Sequence, residues 1–282
     1  MAFSTVPFTG VLVAGGLDVN WCSVSPTKAF LIYTGWTGPL LGQGQRKLFI
    51  QAVYFNGKNP ATFGPACSVG VVPTSVALFP YIVSLSDGRL FVSMRDNSAL
   101  FSYSVYNVEA GDLVSLSYKH GTLFTQSGNN THIAMAALDG NKVLSTQFNT
   151  NNNDYARISV GATAMTFETI TGAQLLAYNY VGTPVVIQNL TGHSIRSDRA
   201  GNILVTRSFY GAMQGGSPTN GVQFTTFDKD GNVLRYGRAN PTLVGGVDYN
   251  GFMKGKDVIP ISASNLLSLG ATSASGSANG SA

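Results

Sequence analysis

One stretch recurs along this chain, and its recurrence limits what the chain can fold into. In the clearest copy, His132 to Phe148 (HIAMAALDGNKVLSTQF), a small apolar run meets Leu-Asp-Gly-Asn and then a second apolar run. Asp139-Gly140 and Gly140-Asn141 are dipeptides that tolerate positive φ, so the stretch reads as strand, tight turn and returning strand. Neither strand alternates cleanly between polar and apolar. Ala134, Met135, Ala136 and Ala137 lead in, and Val143 and Leu144 lead out. That pattern suits strands covered on both faces, as in stacked sheets.

Copies of the unit follow the same form. Tyr81 to Met94 turns at Asp87-Gly88, Ser194 to Phe209 turns at Ala200-Gly201-Asn202, and Trp21 to Gly35 turns at Ser25-Pro26-Thr27. Gly251 to Ser262 is the loosest copy. Leu31, Phe91, Leu144, Leu204 and Ile259 mark the returning strands. By subtraction they lie 60, 53, 60 and 55 residues apart, a mean of (259 − 31)/4 = 57. A second repeat agrees: Gly15-Gly16-Leu17-Asp18-Val19-Asn20 and Gly245-Gly246-Val247-Asp248-Tyr249-Asn250 are offset by 230 residues, four periods of 57.5. Repeats of roughly 40 to 50 residues with four strands each are the mark of propeller blades, and longer loops account for the excess.

The expected fold class is therefore all-β, a five-bladed β-propeller of about 57-residue blades; a β-sandwich or jelly roll is the alternative. Blades fall at about 17–74, 75–128, 129–187 and 188–244. The last blade combines 245–264 with residues 1–16, so that the N-terminal strands close the ring and remove open sheet edges. Residues 268–282 (SLGATSASGSANGSA) form a low-complexity tail that buries no core of its own.

Composition narrows the setting. Charged residues make up 11% of the chain, against about 25% in typical soluble domains, so neutral polar residues do the solubilising. No apolar run of 18 residues occurs, so no membrane span is expected. The first ten residues lack the basic and apolar regions of a secretion signal. The net charge is +4, but Arg46-Lys47, Arg196 with Arg199, and Lys254 with Lys256 are too scattered for a nucleic-acid surface. Cys22 and Cys67 fall on the first and fourth strands of one blade, about 14 Å apart at three strand spacings, so two free thiols are expected.

Catalytic motifs are scarce. His120, His132 and His193 share no ligand spacing, and no metal or cofactor is expected. Asp228-x-Asp230-Gly231 opens like a calcium loop but lacks the later ligands, so it reads as a hairpin turn. No nucleophile elbow or phosphate loop occurs. The sharpest enzymatic candidates are Asp18 and Asp248, at equivalent positions where innermost strands begin. Two such carboxylates about 5 to 9 Å apart could hydrolyse a glycoside. The plainer reading makes Gly-Gly-x-Asp-x-Asn a turn whose Asp bonds local backbone, and that reading leaves no catalytic residue assigned. Trp21, Trp36, Tyr33, Tyr54, Tyr210 and Tyr249 could stack on sugars, or pack between blades.

Ile133–Leu144 (IAMAALDGNKVL) followed by Tyr155-Ala156 resembles repeat blades of phage and prophage tail or fibre proteins. The resemblance covers one repeat well and the others in outline, and it implies no functional residues. It implies a non-enzymatic structural component of a bacteriophage virion: a tail, fibre or capsid-decorating subunit. Its partners would be other virion proteins and copies of itself, partly through residues 268–282, with a host-surface glycan as a further partner. The alternative is a carbohydrate-binding or glycoside-cleaving propeller with Asp18 and Asp248 at the channel mouth.

Overall fold

The structure is a computed structural model. It describes residues 19–36, 45–57, 59–71, 80–95, 101–120, 134–146, 155–170, 190–197, 201–212, 218–239, 258–260, 266–268, 270–274 and 277–281. Sheet 1 holds β1 (Val19–Ser25), β2 (Lys28–Trp36), β3 (Arg46–Asn56) and β4 (Asn59–Val71). Sheet 2 holds β5 (Tyr81–Ser84), β6 (Leu90–Arg95), β7 (Phe101–Val108) and β8 (Val114–His120). Sheet 3 holds β9 (Met135–Leu138), β10 (Lys142–Thr146), β11 (Tyr155–Val160) and β12 (Met165–Ile170). Sheet 4 holds β13 (Leu190–Ser197), β14 (Ile203–Ala212), β15 (Pro218–Phe227) and β16 (Val233–Ala239).

In each sheet the spatial order of strands is the chain order, and each hydrogen-bonded pair is antiparallel. These are blades of the propeller kind, so the all-β propeller expectation holds at that level. A jelly roll needs Greek-key crossings, and none of the four sheets has one. The described residues form four blades where five were expected. Among the described residues Ile259 falls instead on β17 (Val258–Pro260), paired with β18 (Leu266–Ser268) in a two-stranded hairpin. The expected closure by residues 1–16 lies outside the described residues. The C-terminal tail is not featureless: β19 (Gly270–Ala274) pairs with β20 (Ser277–Ser281), a pairing that backbone groups make without apolar side chains.

The chain divides into two compact units, one of Met1–Thr125 with Gly161–Met165, the other of the remainder. In the first, Phe30, Ile32, Leu48, Ile50 and Ala52 of sheet 1 pack with Ile82, Leu90, Val92 and Tyr106 of sheet 2 in one apolar cluster. In the second, Tyr155 of sheet 3 reaches sheet 4. Its Oη lies 2.7 Å from Thr225 Oγ1, and its ring meets Phe227 edge-on at 5.0 Å.

Local turn chemistry explains the hairpins. Between β9 and β10, Gly140 (φ 69°) and Asn141 (φ 55°) take the left-handed conformations that their types tolerate. Three other turns share one bonding pattern. The first residue's N–H donates to the fifth residue's carbonyl, and the fourth's N–H donates to the first's carbonyl, at 85–89, 109–113 and 228–232. Each places a glycine at positive φ: Gly88, Gly111 and Gly231.

One marker was misplaced. Leu144 shares a face with Thr146 and Tyr155, the face turned toward sheet 4. Leu31 lies on the face of sheet 1 turned away from sheet 2, while Phe30 faces it. The copy in sheet 1 is therefore displaced by one residue, beside a register shift between Ser23 and Ser25. With a side-chain period of two, such a slip exchanges faces.

Candidate functional site

Asp18 and Asp248, the two candidate acids, lie outside the described residues, as does Tyr249. Asp18 immediately precedes β1. Of the chain next to Asp18, β1 is described. β1 is an edge strand, paired on one side with β2, and it touches β5 of sheet 2. Its alternation sends Cys22 into the apolar cluster and leaves Trp21 59% exposed, with Val19 exposed two residues earlier. The Trp21 N–H donates to Asn20 Oδ1 at 2.8 Å, which fixes the backbone under the indole. An exposed indole on a strand edge is a flat apolar surface with one N–H donor, suited to stacking on a sugar ring.

Opposite Val19 on β2 stands Tyr33, half-buried and stacked on Phe49 at 5.6 Å. Its hydroxyl donates to Gln51 Oε1 at 3.0 Å. Burial, and to a lesser degree the nearby Cys67, pushes the phenol above its ordinary pKa, so it stays a neutral donor. Of the other aromatic candidates, Tyr54 is partly exposed at the end of β3. Trp36 and Tyr210 lie at the ends of β2 and within β14.

A second cluster escaped sequence reasoning. Asp112 is buried and takes φ 61° in the β7–β8 turn, an unusual conformation for an aspartate. Its carboxylate pairs with Lys28 Nζ of sheet 1. The same ammonium lies 5.2 Å from the centre of the Phe30 ring and 5.5 Å from that of Tyr54. Beside it Cys67 Sγ accepts the Val114 N–H at 3.3 Å. The cluster ties sheet 1 to sheet 2 through the Lys28–Asp112 pair. Its one sequence signal is Gly111-Asp112 in a turn, and the partner 84 residues away has no local trace.

In the second unit Arg157 does a comparable job. Nε and Nη2 donate to Glu168 Oε2 at 3.0 and 2.5 Å, and Nη1 donates to Asn232 Oδ1 at 2.9 Å. Asp139 of the β9–β10 turn pairs with Lys229 of the β15–β16 turn at 2.8 Å. Asp228 is a turn residue, as the hairpin reading has it. Oδ1 accepts from the Asp230 and Asn232 N–H groups at 2.9 and 2.8 Å, and Oδ2 accepts from Asn232 Nδ2 at 2.9 Å. Among the described residues no group of three or more His, Cys, Asp or Glu side chains could hold a metal ion. No described helix is long and apolar enough to cross a membrane.

Both cysteines are free thiols, Cys22 on β1 and Cys67 on β4. Burial pushes the Cys22 pKa up to about 12, outweighing the Phe30 backbone hydrogen bond, so it is a structural apolar residue and no nucleophile.

No family profile matches the chain, and no curated protein matches it in sequence. Solved structures do. The Penicillium chrysogenum α-L-arabinanase complexed with arabinobiose has a TM-score of 0.49 at 9% identity, covering 94% of this chain and 80% of that one. A Cellvibrio cellulosa α-L-arabinanase mutant has a TM-score of 0.40 at 10% identity, covering 93% and 88%. The GH43 endo-arabinanase from Bacillus licheniformis has a TM-score of 0.40 at 13% identity, covering 95% and 92%. These are arabinanases, and none of the three is a tail or fibre protein. The expectation of a non-enzymatic structural component of a virion is corrected on that finding. With TM-scores below 0.5, the likenesses say nothing about what this chain itself binds or cleaves.

Proposed function

We propose that this chain handles a carbohydrate: a glycan stacks on Trp21, and the chain cleaves a glycoside, with Asp18 and Asp248 each a candidate carboxylate. The observation that carries the reading is the exposed indole of Trp21, three residues after Asp18 on the edge strand of sheet 1. Stacking would hold the apolar C–H face of a sugar. Glycoside cleavage then asks for two carboxyl groups, one to protonate the leaving oxygen and one to act as base or nucleophile, about 5 to 9 Å apart. Asp18 and Asp248 share one motif, Gly-Gly-x-Asp-x-Asn, at two ends of the chain. The five-repeat count belongs to the same reading, with the β17–β18 hairpin opening the fifth repeat.

The test is affinity electrophoresis of the full chain in a panel of soluble polysaccharides, arabinan among them, beside an assay for released reducing ends. Retardation by one polysaccharide is expected, lost by at least about tenfold in affinity in Trp21→Ala, since one stacking surface is worth ~1.4 kcal/mol or more. Release of reducing ends is expected from the unchanged chain and not from Asp18→Asn or Asp248→Asn. No retardation in any polysaccharide would remove the proposal. Binding with no cleavage would remove the two carboxylates from it.

A further inference from the structure

We infer that Asn20 is the polar half of the Trp21 subsite: its Nδ2 donates to an oxygen of the stacked sugar, and the sugar it selects is neutral. The inference rests on the reading that a glycan stacks on Trp21. How the Asn20 carboxamide is held is what points there. Asn20 stands on β1 opposite Ile32, whose side chain is fully buried in the cluster shared with sheet 2. Strand alternation starts the Asn20 side chain toward that same face. Its Oδ1 nevertheless accepts the Trp21 N–H at 2.8 Å, so the carboxamide turns back to the backbone under the indole. A backbone N–H can only donate, so the atom that meets it is the amide oxygen, and this settles which way the carboxamide faces. Nδ2 keeps two N–H donors, and among the described residues nothing accepts from them. Asn20 is partly exposed, and Trp21, the next residue, is 59% exposed. Adjacent Cα atoms lie about 3.8 Å apart, less than the width of a sugar ring with its hydroxyls, so one sugar can cover the indole and meet Nδ2.

The same bond decides against a peptide. An edge strand recruits another strand through free backbone N–H and C=O groups. The Trp21 N–H is already engaged by Asn20, so an added strand would lose a ladder bond at the exposed indole. A stacked sugar asks for no backbone N–H. Charge then narrows the sugar. β1 (VNWCSVS) carries no charged residue. The one charged residue of β2 is Lys28, at the other end of the pairing opposite Ser25, and Asp112 takes its ammonium. Asp18, two residues before Asn20 in the sequence, is acidic. A uronate or sulfate group would find an uncharged amide and no cation, whereas a sugar hydroxyl or ring oxygen finds a donor of fixed direction.

The test is affinity electrophoresis of the full chain in soluble arabinan, dextran and polygalacturonate, with Trp21→Ala, Asn20→Asp and Asn20→Ala beside it. Retardation is expected in arabinan or dextran, and less or none in polygalacturonate. Asn20→Asp keeps an oxygen for the Trp21 N–H and removes the donor, so near neutral pH it should bind about three- to tenfold more weakly with an unchanged melting temperature. A protonated carboxyl is a donor again, so the deficit relative to the unchanged chain should shrink as pH falls through about 4. Asn20→Ala should bind no better than Asn20→Asp near neutral pH and should not recover in acid. If Trp21→Ala weakens binding and Asn20→Asp does not, this inference is overturned and stacking on Trp21 stands. A deficit in Asn20→Asp that persists in acid also overturns it, because the loss would then come from the strand and not from the donor. If Trp21→Ala leaves binding unchanged, or no polysaccharide retards the chain, the stacking reading falls and this inference with it. Stronger retardation by polygalacturonate than by arabinan and dextran overturns the choice of a neutral sugar.

Discussion

Gly88 and Gly231 close turns of one shape, at φ 85° and 83°, yet they sit in different surroundings. A Cβ on Gly88 would meet nothing within 4 Å. A Cβ on Gly231 would fall 2.7 Å from Leu138 Cδ1 and 3.1 Å from Arg157 Cδ. Gly88→Ala should therefore cost only the left-handed backbone, about 1–2 kcal/mol. Gly231→Ala should cost that and about 1–3 kcal/mol more, because Leu138 and the Arg157 stem must both move. Urea unfolding of the two variants checks the difference; equal losses would mean that the turn, and not its neighbours, sets the cost. Turn glycines of this kind are the part of the chain most open to reading from sequence. Asp139-Gly140-Asn141 declares its hairpin because positive φ is a property of the residues themselves. Asp112 gives no such sign, since what stabilises its conformation is Lys28 in another sheet.

At the scale of the element, hairpins were legible and their count and facing were not. Tyr155-Ala156, picked out in the sequence after the clearest hairpin, opens the strand Tyr155–Val160 in the fold. Leu31 was legible as a strand residue but not as to its face, because a local bulge shifts the copy by one position and sequence spacing does not see it. Aspartates fasten two of the turns. In the β5–β6 turn Asp87 accepts from the Arg89 N–H and side chain at 3.1 and 2.8 Å, and in the β15–β16 turn Asp228 accepts three bonds. Slight burial raises each carboxyl, but these hydrogen bonds outweigh it and hold both below the ordinary aspartate range. A depressed pKa contributes stability above the unfolded value near ~4, and that stability is lost as pH falls through the folded value. Stability should thus fall on acidification from about pH 5 downward. Asp87→Asn with Asp228→Asn should flatten that fall by under about 1 kcal/mol per site, given their exposure. Parallel pH profiles of unfolding would show that neither turn senses acid.

Across the whole molecule, few charges are available to hold sheets together: 17 basic and 13 acidic residues in 282. Cohesion between sheets must come from apolar burial and from hydroxyl contacts such as Tyr155 with Thr225. Tyr155→Phe keeps the ring against Phe227 and strands a buried Thr225 hydroxyl, so it should cost about 1–2 kcal/mol in chemical denaturation. No loss would mean that the hydroxyl bond contributes nothing between sheets 3 and 4. Salt separates the charged contribution from the rest. At ~1 M the screening length falls to about 3 Å, which weakens exposed pairs such as Asp139 with Lys229, both more than half exposed. A pair better shielded from that screening is Lys28 with Asp112, where the carboxylate is buried. If apolar packing dominates, raising sodium chloride from ~0.05 to ~1 M should move the melting temperature by less than about 3 °C, the shift of ~1 kcal/mol in a chain of this size. A larger drop would place the exposed ion pairs, and not the buried faces of the sheets, at the centre of what holds each unit together.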